Sequence, residues 1–510
     1  MRAQSFVEIE DKQLEKYYYG SHYILACRSR NAQFPPGLYG NWVTMDRCAW
    51  SGDYHLDYNF EAPYWSVFSS NHVELADPYD SPLLEHLPIF IEHAREYLNQ
   101  KGAYASVAIG PKGLICRFRD KSGLLNQYGK DHGPFDDIAG QPMFLGMKSH
   151  AVFAAMNMIL RYHYTYDEGY MKKVYPYLSA VAEFWENYLK YEKKRYVIYD
   201  DNFGEVASWQ GSDWRENYGD FNPITSLGFL RVFFRTMIEI SHELNVDIDR
   251  QEKWEYILTH LSDLPVYEEN GRKHFRAFEG GHGSGLRVLK TNWIMLHALV
   301  YPATNISLGS NPEYLKMIRN DMKEWRDNVW LTHGNSFQTV FISGARVGLD
   351  PEFLFAQAKE KIEKLSYPNL WIFAEGGGIE TCSGIPGMIN EMMLQSHNDL
   401  MRIFPVFPEN QRASFYQLRT FGAFLISSSI DNGKIDYIYI ESEKGRDCDI
   451  LNPWPDRKVL IYGSKKKAEA IKGEELFFKT QEGEKFALVP EGSGYESINQ
   501  VLNEMLSSRE

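Results

Sequence analysis

The stretch from Gly146 to Tyr164 reads Gly-Met-Lys-Ser-His-Ala-Val-Phe-Ala-Ala-Met-Asn-Met-Ile-Leu-Arg-Tyr-His-Tyr. Small and apolar side chains fall at Ala151, Ala154, Ala155 and Met158, so one face of a helix built from this stretch is apolar. Helical periodicity of this kind dominates from about residue 11 to about residue 405. The pattern therefore predicts a mainly α protein.

The helical segments are separated by loops of two kinds, short ones and long ones rich in Gly, Pro and aromatic residues. Helix pairs joined alternately in this way indicate an α/α toroid, in which the long loops gather at one end and build a cleft. The other predicted helices are Asp80–Asn99, Tyr170–Tyr191, Ile224–Leu244, Gln251–Leu261, Thr291–Val300, Pro312–Val329, Ser336–Val347, Pro351–Leu365 and Ile385–Ile403.

The pattern changes after about residue 415. Two runs rich in β-branched and aromatic residues, Phe421–Ile430 and Lys434–Glu441, flank Asp431-Asn432-Gly433, which is a strong hairpin signal. Further short strands are predicted at Lys458–Tyr462, Glu475–Thr480 and Lys485–Val489. We therefore expect an N-terminal linker over residues 1–20, a helical barrel over 21–410 and a small antiparallel β domain with a short tail over 411–510.

Composition narrows the class of protein. The 510 residues are 44% hydrophobic and 24% charged, which is typical of a globular chain, and aromatic residues reach 15%. The net charge of -14 disfavours nucleic acid or an anionic membrane as partner. The N-terminus has no apolar signal core, so the chain as written is expected in the cytoplasm, or outside the cell if a natural N-terminal part has been removed. The oligomeric state stays open.

The five cysteines are odd in number, scattered and without a Cys-x-x-Cys pair. A disulfide framework or a zinc site is therefore not expected, and reduced thiols are the default. The sequence also lacks a Gly-x-Ser-x-Gly elbow, a His-Glu-x-x-His helix and a calcium loop, which disfavours serine and zinc hydrolases. We expect no cofactor and no metal.

Candidate catalytic and sugar-binding side chains are concentrated in Gly52–Trp65, which reads Gly-Asp-Tyr-His-Leu-Asp-Tyr-Asn-Phe-Glu-Ala-Pro-Tyr-Trp. Polar side chains fall at every second position: His55, Asp57, Asn59 and Glu61. An extended segment would carry them on one edge, where they could grip a sugar together with rings such as Trp50. The local pattern alone favours a half-buried edge strand with a wet face.

Two later loops carry isolated acids. Glu205 lies near Trp209, and a carboxyl among aromatic rings has a raised pKa, which suits a general acid. Glu380 follows three consecutive glycines and Trp371, where backbone can approach a ligand. A solvated acid and an ordinary turn are the alternatives. His297, on an otherwise apolar helix, is expected to be a core residue.

These segments match a known pattern in order and spacing. The chain resembles glycoside hydrolase family 95, the inverting α-1,2-L-fucosidases and their α-L-galactosidase relatives, which implies an (α/α)6 barrel from about residue 20 to about residue 410. The matching part begins almost at the linker helix that follows the family's large N-terminal β domain, so we expect either a truncated chain or a shortened form of the family. The matching segments are Pro35–Trp42, Tyr54–Trp65, Tyr301–Pro302, Gly334–Ser336, Tyr367–Leu370, Ile379–Glu380 and Glu391–His397.

The resemblance implies roles residue by residue. Glu205 falls where the family has its general acid, and Glu380 where it has the acid that polarises a catalytic amide. Asn59 matches one of two catalytic asparagines, whereas Asp57 replaces the other, so a carboxylate could here deprotonate water directly. His55 matches a sugar contact, and we expect the sugar to be held also by Trp50, Trp209, Trp293 and Trp371.

The sugar pocket departs from the family's pattern. An Arg-His pair that contacts fucose appears here as roughly Asn292-Trp293, which puts fucose in doubt. The resemblance therefore implies an inverting exo-glycosidase that removes a terminal sugar, an α-L-fucoside or a related α-L-galactoside, from an oligosaccharide or glycoconjugate. The alternatives are another carbohydrate-active enzyme on the same barrel, such as a phosphorylase, and a non-catalytic sugar-binding descendant.

Overall fold

The computed structural model describes residues 4–40, 52–113, 147–202, 221–279, 297–326, 337–372, 378–463 and 466–493. Ten α-helices lie in these ranges. They are α1 (Lys12–Ala26), α2 (Asp80–Leu98), α3 (His150–Thr165), α4 (Glu168–Tyr188), α5 (Ile224–Leu244), α6 (Gln251–His260), α7 (Pro312–Arg326), α8 (Phe337–Arg346), α9 (Pro351–Leu365) and α10 (Gly384–Met393). Helices α5 and α9 have the bounds that the periodicity predicted.

Two kinds of helix alternate along the chain. Most residues of α3 and α5 and every residue of α10 are buried, whereas α2, α4, α6 and α9 bury one stripe and expose the other face. A helix that is apolar all round belongs inside, and an amphipathic one belongs at the surface. Helix α3 packs on α4 and α5, α8 packs on α10, and α10 packs on α1. The result is the predicted (α/α)6 barrel of inner and outer helices.

One helix prediction was wrong in its second half. Helix α10 ends at Met393, and Leu394–Gln395 (β8) then pairs with Arg402–Ile403 (β9) in an antiparallel hairpin. The backbone reverses at Asn398 and Asp399, whose φ angles are 56° and 53°. Asn and Asp tolerate this left-handed conformation better than other residues, so the chain turns where apolar spacing alone predicted a continuing helix.

The C-terminal residues form the predicted antiparallel β domain. The strands are β1 (Phe6–Ile9), β10 (Ala413–Thr420), β11 (Phe424–Asp431), β12 (Lys434–Ser442), β13 (Asp447–Leu451), β14 (Val459–Gly463), β15 (Lys466–Ile471), β16 (Glu475–Lys479) and β17 (Lys485–Pro490). Seven of them form one sheet in the order β1-β10-β11-β12-β17-β14-β15, and β13 pairs with β16 in a second sheet. Asn432 and Gly433, both with positive φ, form the expected hairpin turn.

The N-terminal segment joins this sheet to the barrel. Strand β1 pairs antiparallel with β10, with Phe6 opposite Tyr416, and Asp11 then caps α1, since its carboxylate accepts from two backbone N–H groups of the first turn. The Arg419 guanidinium, on β10, donates to the carbonyl of Tyr164 on α3. No helix of the described residues is long and apolar enough to cross a membrane.

Candidate active site

The stretch Gly52–Trp65 is a short strand followed by turns rather than an extended edge. Tyr54–His55 (β2) pairs with Ala108–Ile109 (β3), and the chain then curls so that the N–H of Phe60 donates to the carbonyl of His55 at 3.0 Å. Tyr58 has a φ of 134°, outside the region that a strand occupies. The expectation of a long strand was wrong because the chain turns directly after His55, so pairing with β3 stops there and the polar side chains do not share one edge.

The polar side chains of this stretch face the interior. The exposed fraction is 8% for His55, 4% for Asp57 and zero for Glu61, whereas Asn59 is partly exposed. A wet strand face would have exposed all four, so the edge-strand interpretation was wrong. Buried ionisable groups are costly unless they are paired, which makes a functional reason for them worth seeking.

Glu380 meets this stretch from the far end of the barrel sequence. It lies in a 3-10 turn, Ile379–Ser383, that packs on the Ala62–Tyr64 turn, and it is fully buried. The Asn59 amide nitrogen lies 3.5 Å from Glu380 Oε1, and the Gly378 N–H donates to Oε2 at 3.1 Å. Two motifs that are 321 positions apart therefore come together at one side-chain contact.

Trp371 packs beneath the Glu380 turn. A Cβ atom added at Gly378 would lie 2.0 Å from Trp371 Cζ2, so only glycine allows the indole to lie against the backbone there. The glycine before Glu380 thus has a packing role that the sequence analysis did not assign. The indole is partly exposed, and the prediction that it contacts a sugar stays a prediction.

His55 lies between two carboxylates. Its Nδ1 is 3.3 Å from Asp53 Oδ1, and its Nε2 is 3.5 Å from Asp57 Oδ1. The first contact has hydrogen-bond geometry, whereas the second is an ion-pair contact. Sequence reasoning missed Asp53, although the alternation Asp53, His55, Asp57 already signalled three ionisable side chains on one edge.

Burial dominates the electrostatics of the cluster. It raises the pKa of Glu380 to about 7, against the opposing effects of its own N–H, the Gly378 N–H and the Asn59 amide. Burial also raises the pKa of Asp57, an effect that His55 opposes and Asp53 reinforces. Carboxyls with raised pKa values, gathered at one place, are typical of acid–base sites.

A second layer lies behind these groups. Burial raises the pKa of Glu61 well above 4.5, and neither of its carboxylate oxygens has a hydrogen-bond partner among the described residues. The Asn157 amide of α3 donates to the Glu61 carbonyl at 2.9 Å and fixes its backbone. His150, the first residue of α3, is fully buried, and burial lowers its pKa to about 3. No sequence signal distinguished His150 from an ordinary helix-start residue.

The remaining predicted site residues fall outside the described residues: Glu205, Trp50, Trp209 and Trp293. His297 is 2% exposed, in line with its predicted core position. Within the described ranges, no group of three or more His, Cys, Asp or Glu side chains could hold a metal ion. The described part of the site therefore consists of two carboxyls, an amide and an imidazole flanked by a third carboxyl.

A putative kojibiose phosphorylase from human microbiome matches 93% of this chain and 67% of its own, with a TM-score of 0.52 and 13% identity, which shows a common fold. An α-L-rhamnosidase from Dictyoglumus thermophilum matches 95% of this chain and 50% of its own, with a TM-score of 0.47 and 10% identity.

Sequence similarity points to one family. A probable α-fucosidase A of Aspergillus niger is 26% identical over 168 residues, which is 32% of this chain and 18% of that protein, so the match spans a small part of the relative. The glycosyl hydrolase family 95 catalytic domain matches residues 1–393, most of the chain. That match includes both motifs that meet at the contact of Asn59 with Glu380. The chain therefore belongs to glycosyl hydrolase family 95.

Proposed function

We propose that this protein is an inverting exo-glycosidase that removes a terminal α-L-fucose, or a related sugar such as α-L-galactose, from an oligosaccharide or glycoconjugate. Glu205 protonates the leaving oxygen. Asp57 or Glu380, assisted by Asn59, activates a water molecule on the opposite face of the sugar. Trp371 and the predicted tryptophans of the long loops, Trp50, Trp209 and Trp293, line the sugar pocket.

The contact of Asn59 with Glu380 carries the proposal. These residues match the amide and the acid that act together in the family, and their side chains lie 3.5 Å apart, with Glu380 fully buried and Asn59 partly exposed. Asp57 lies two residues from Asn59, on the same side of the barrel. A descendant that only binds sugar has no need to keep this contact or to bury carboxyls whose pKa is raised. The geometry thus favours catalysis over binding alone.

The first experiment is a screen for reducing sugar. The protein would be incubated with aryl glycosides of L-fucose, L-galactose and L-arabinose and then with natural disaccharides, and the anomer released first would be identified by proton NMR. We expect hydrolysis of one L-sugar type with inversion at the anomeric carbon. First release of the retained anomer would contradict the mechanism, because direct attack by water on the face opposite the leaving oxygen inverts the anomeric carbon. Inverting enzymes hold their two carboxyls about 6.5–9.5 Å apart to leave room for that water.

The second experiment tests the general acid. Glu205→Gln should reduce kcat on unactivated disaccharides by about 10²–10⁴-fold and reduce it much less on aryl glycosides with good leaving groups. Glu255→Gln, at an exposed position of α6, is the matched control and should leave both rates unchanged. Equal losses on both substrate classes would argue against the acid role of Glu205.

Phosphorolysis is separated from hydrolysis in the same assay. A phosphorylase would need inorganic phosphate for cleavage and would release a sugar phosphate, whereas the proposed hydrolase releases free sugar at a rate independent of phosphate. Strict dependence on phosphate would overturn the proposal of a hydrolase while leaving the family and the fold unchanged.

A further inference from the structure

The array of Asp53, His55 and Asp57 distinguishes the two carboxyls that compete for the role of base. Asp57 has an imidazole nitrogen at 3.5 Å, and that imidazole is held from its other side by Asp53 at 3.3 Å. Glu380 has an amide and a backbone N–H as neighbours instead, and it forms no ion pair with another described residue. Of Asp57 and Glu380, only Asp57 is therefore in direct contact with a side chain that can carry a positive charge.

Burial makes this difference matter. Asp53, His55 and Asp57 are each less than a tenth exposed, so water contributes little to solvating their charges. Two carboxylates around one imidazole favour its protonated form, and a protonated imidazole in turn opposes the rise that burial causes in the pKa of Asp57. Without that cation, two buried carboxylates so close together would favour protonation of one of them.

The other ionisable groups that face His55 do not compete for its proton. Burial lowers the pKa of His150 to about 3, so this neighbouring ring stays neutral at physiological pH. Burial raises the pKa of Glu61 well above 4.5, which favours its neutral form. Burial raises the pKa of Glu380 to about 7, so this acid is substantially protonated near neutral pH. Asp53 and Asp57 are the two carboxyls in contact with the ring.

We infer that Asp53 and His55 are positioning residues that hold Asp57 ionised as the group that deprotonates the attacking water, with Glu380 orienting Asn59 instead. This inference rests on the proposed function. It also reassigns His55, whose two ring nitrogens face carboxylates rather than an open pocket.

The step balances with the residues already named. One O–H bond of the water breaks, and its proton passes to the Asp57 carboxylate as the oxygen bonds to the anomeric carbon. The glycosidic C–O bond breaks with its electron pair, and the leaving oxygen takes the proton of Glu205. The imidazolium of His55 keeps both of its protons throughout, one directed at Asp53 and one at Asp57.

The decisive variant is His55→Gln, which removes the cation and keeps a polar side chain. Loss of an adjacent cation raises the pKa of a carboxyl, so the acid limb of the kcat/KM profile should move to higher pH, by about 1–3 pH units. Asp57→Asn should lose about 10²–10⁴-fold in kcat. An acid limb of His55→Gln that coincides with that of the wild type would overturn the inference, as would an Asp57→Asn variant with the wild-type rate.

Asp53 is tested by a double-mutant cycle. Asp53→Asn should reduce kcat by about tenfold or more in the wild-type background, by analogy with other residues that orient a functional histidine. In the His55→Gln background it should cause no further loss and should move the acid limb back towards lower pH, because without the imidazole Asp53 acts on Asp57 only by raising its pKa. Additive losses would mean that Asp53 has a separate structural role and would overturn its assignment.

Asp80→Asn is the matched control. Asp80 is also a buried aspartate, accepts a hydrogen bond from the Tyr170 hydroxyl at 3.0 Å and lies on the outer helix α2. Its replacement should lower stability without moving the acid limb. A shift in this variant equal to that of His55→Gln would mean that general destabilisation moves the limb, which would overturn the inference.

A readout without substrate separates this inference from the proposed function. With histidine labelled with ¹⁵N, the ring signal of His55, assigned through its absence in His55→Gln, should report a protonated ring at pH 7 in the wild type. The ring should be neutral or less protonated in Asp53→Asn. A neutral His55 in the wild type would overturn the inference even if glycosides are cleaved. Failure of every glycoside in the screen, with His55 protonated, would count against the proposed function alone.

Discussion

Two fully buried glutamates lie close together in the chain and meet opposite environments. Glu391, on α10, receives two hydrogen bonds from the Arg346 guanidinium, at 2.5 and 3.0 Å, and that guanidinium also lies 4.4 Å from the centre of the Tyr301 ring. Glu380, just before α10, has the Asn59 amide at 3.5 Å, the Gly378 N–H at 3.1 Å and its own N–H as neighbours, and it forms no ion pair with another described residue. Both acids are at most 3% exposed.

The difference separates a structural charge from a chemical one. A bidentate Arg–carboxylate pair satisfies both ions and locks two inner helices, α8 and α10, against each other. An acid with few partners has a raised pKa and can exchange a proton near neutral pH. Burial of an acid in this barrel is therefore not itself a sign of function, because a guanidinium that is always charged can make a buried acid purely structural.

The largest effect on stability is expected at the structural pair. Arg346→Met leaves Glu391 buried and unpaired, which should lower the free energy of unfolding by about 3–5 kcal/mol, measured by urea denaturation. Combining it with Glu391→Leu removes both charges and should recover most of the loss. If Arg346→Met alone lowered the free energy of unfolding by less than the double variant does, the view that each ion of the pair neutralises the other would be contradicted.

A smaller change in the free energy of unfolding is expected at Glu380, where the substitution should stabilise the protein. Because its pKa is raised to about 7 from 4.5, its favourable contribution is fully present below pH 4.5 and is lost as pH rises through about 7. Glu380→Gln removes that dependence, so the variant should match the wild type in stability at pH 4.5 and exceed it by about 3 kcal/mol at pH 8. Urea denaturation at both pH values measures this, and a difference that does not change with pH would contradict it.

The comparison also shows where sequence reasoning succeeds. Periodicity predicted α5 and α9 to the residue because apolar spacing is a local property of one helix. It failed after Met393, where Asn398 and Asp399 turn the chain and the pairing of β8 with β9 replaces the helix. Turn residues outweighed apolar spacing there.

The candidate site was predictable only in part. Resemblance to a family placed Asn59 and Glu380 in one site, although no periodicity links positions 321 apart. The same resemblance could not reveal the contact of His55 with Asp57, because the family has an asparagine at that position. Nor could it reveal that His150 would be buried behind the cluster, since burial of a helix-start residue depends on which loop packs over it.

The smallest effect tests whether the Tyr301 hydroxyl belongs to the structural pair. This hydroxyl donates to the Trp65 carbonyl at 2.5 Å, while Arg346 contacts only the ring. Tyr301→Phe keeps the ring face for the cation and should cost about 1–2 kcal/mol, the penalty for leaving a buried carbonyl unpaired. Tyr79→Phe removes an equally buried hydroxyl that donates to the Ala154 carbonyl at 2.8 Å, so it is the matched control. Equal losses in urea denaturation would mean that Arg346 and Glu391 hold each other without help from the hydroxyl. A clearly larger loss in Tyr301→Phe would mean that the hydroxyl orients the ring on which the guanidinium lies.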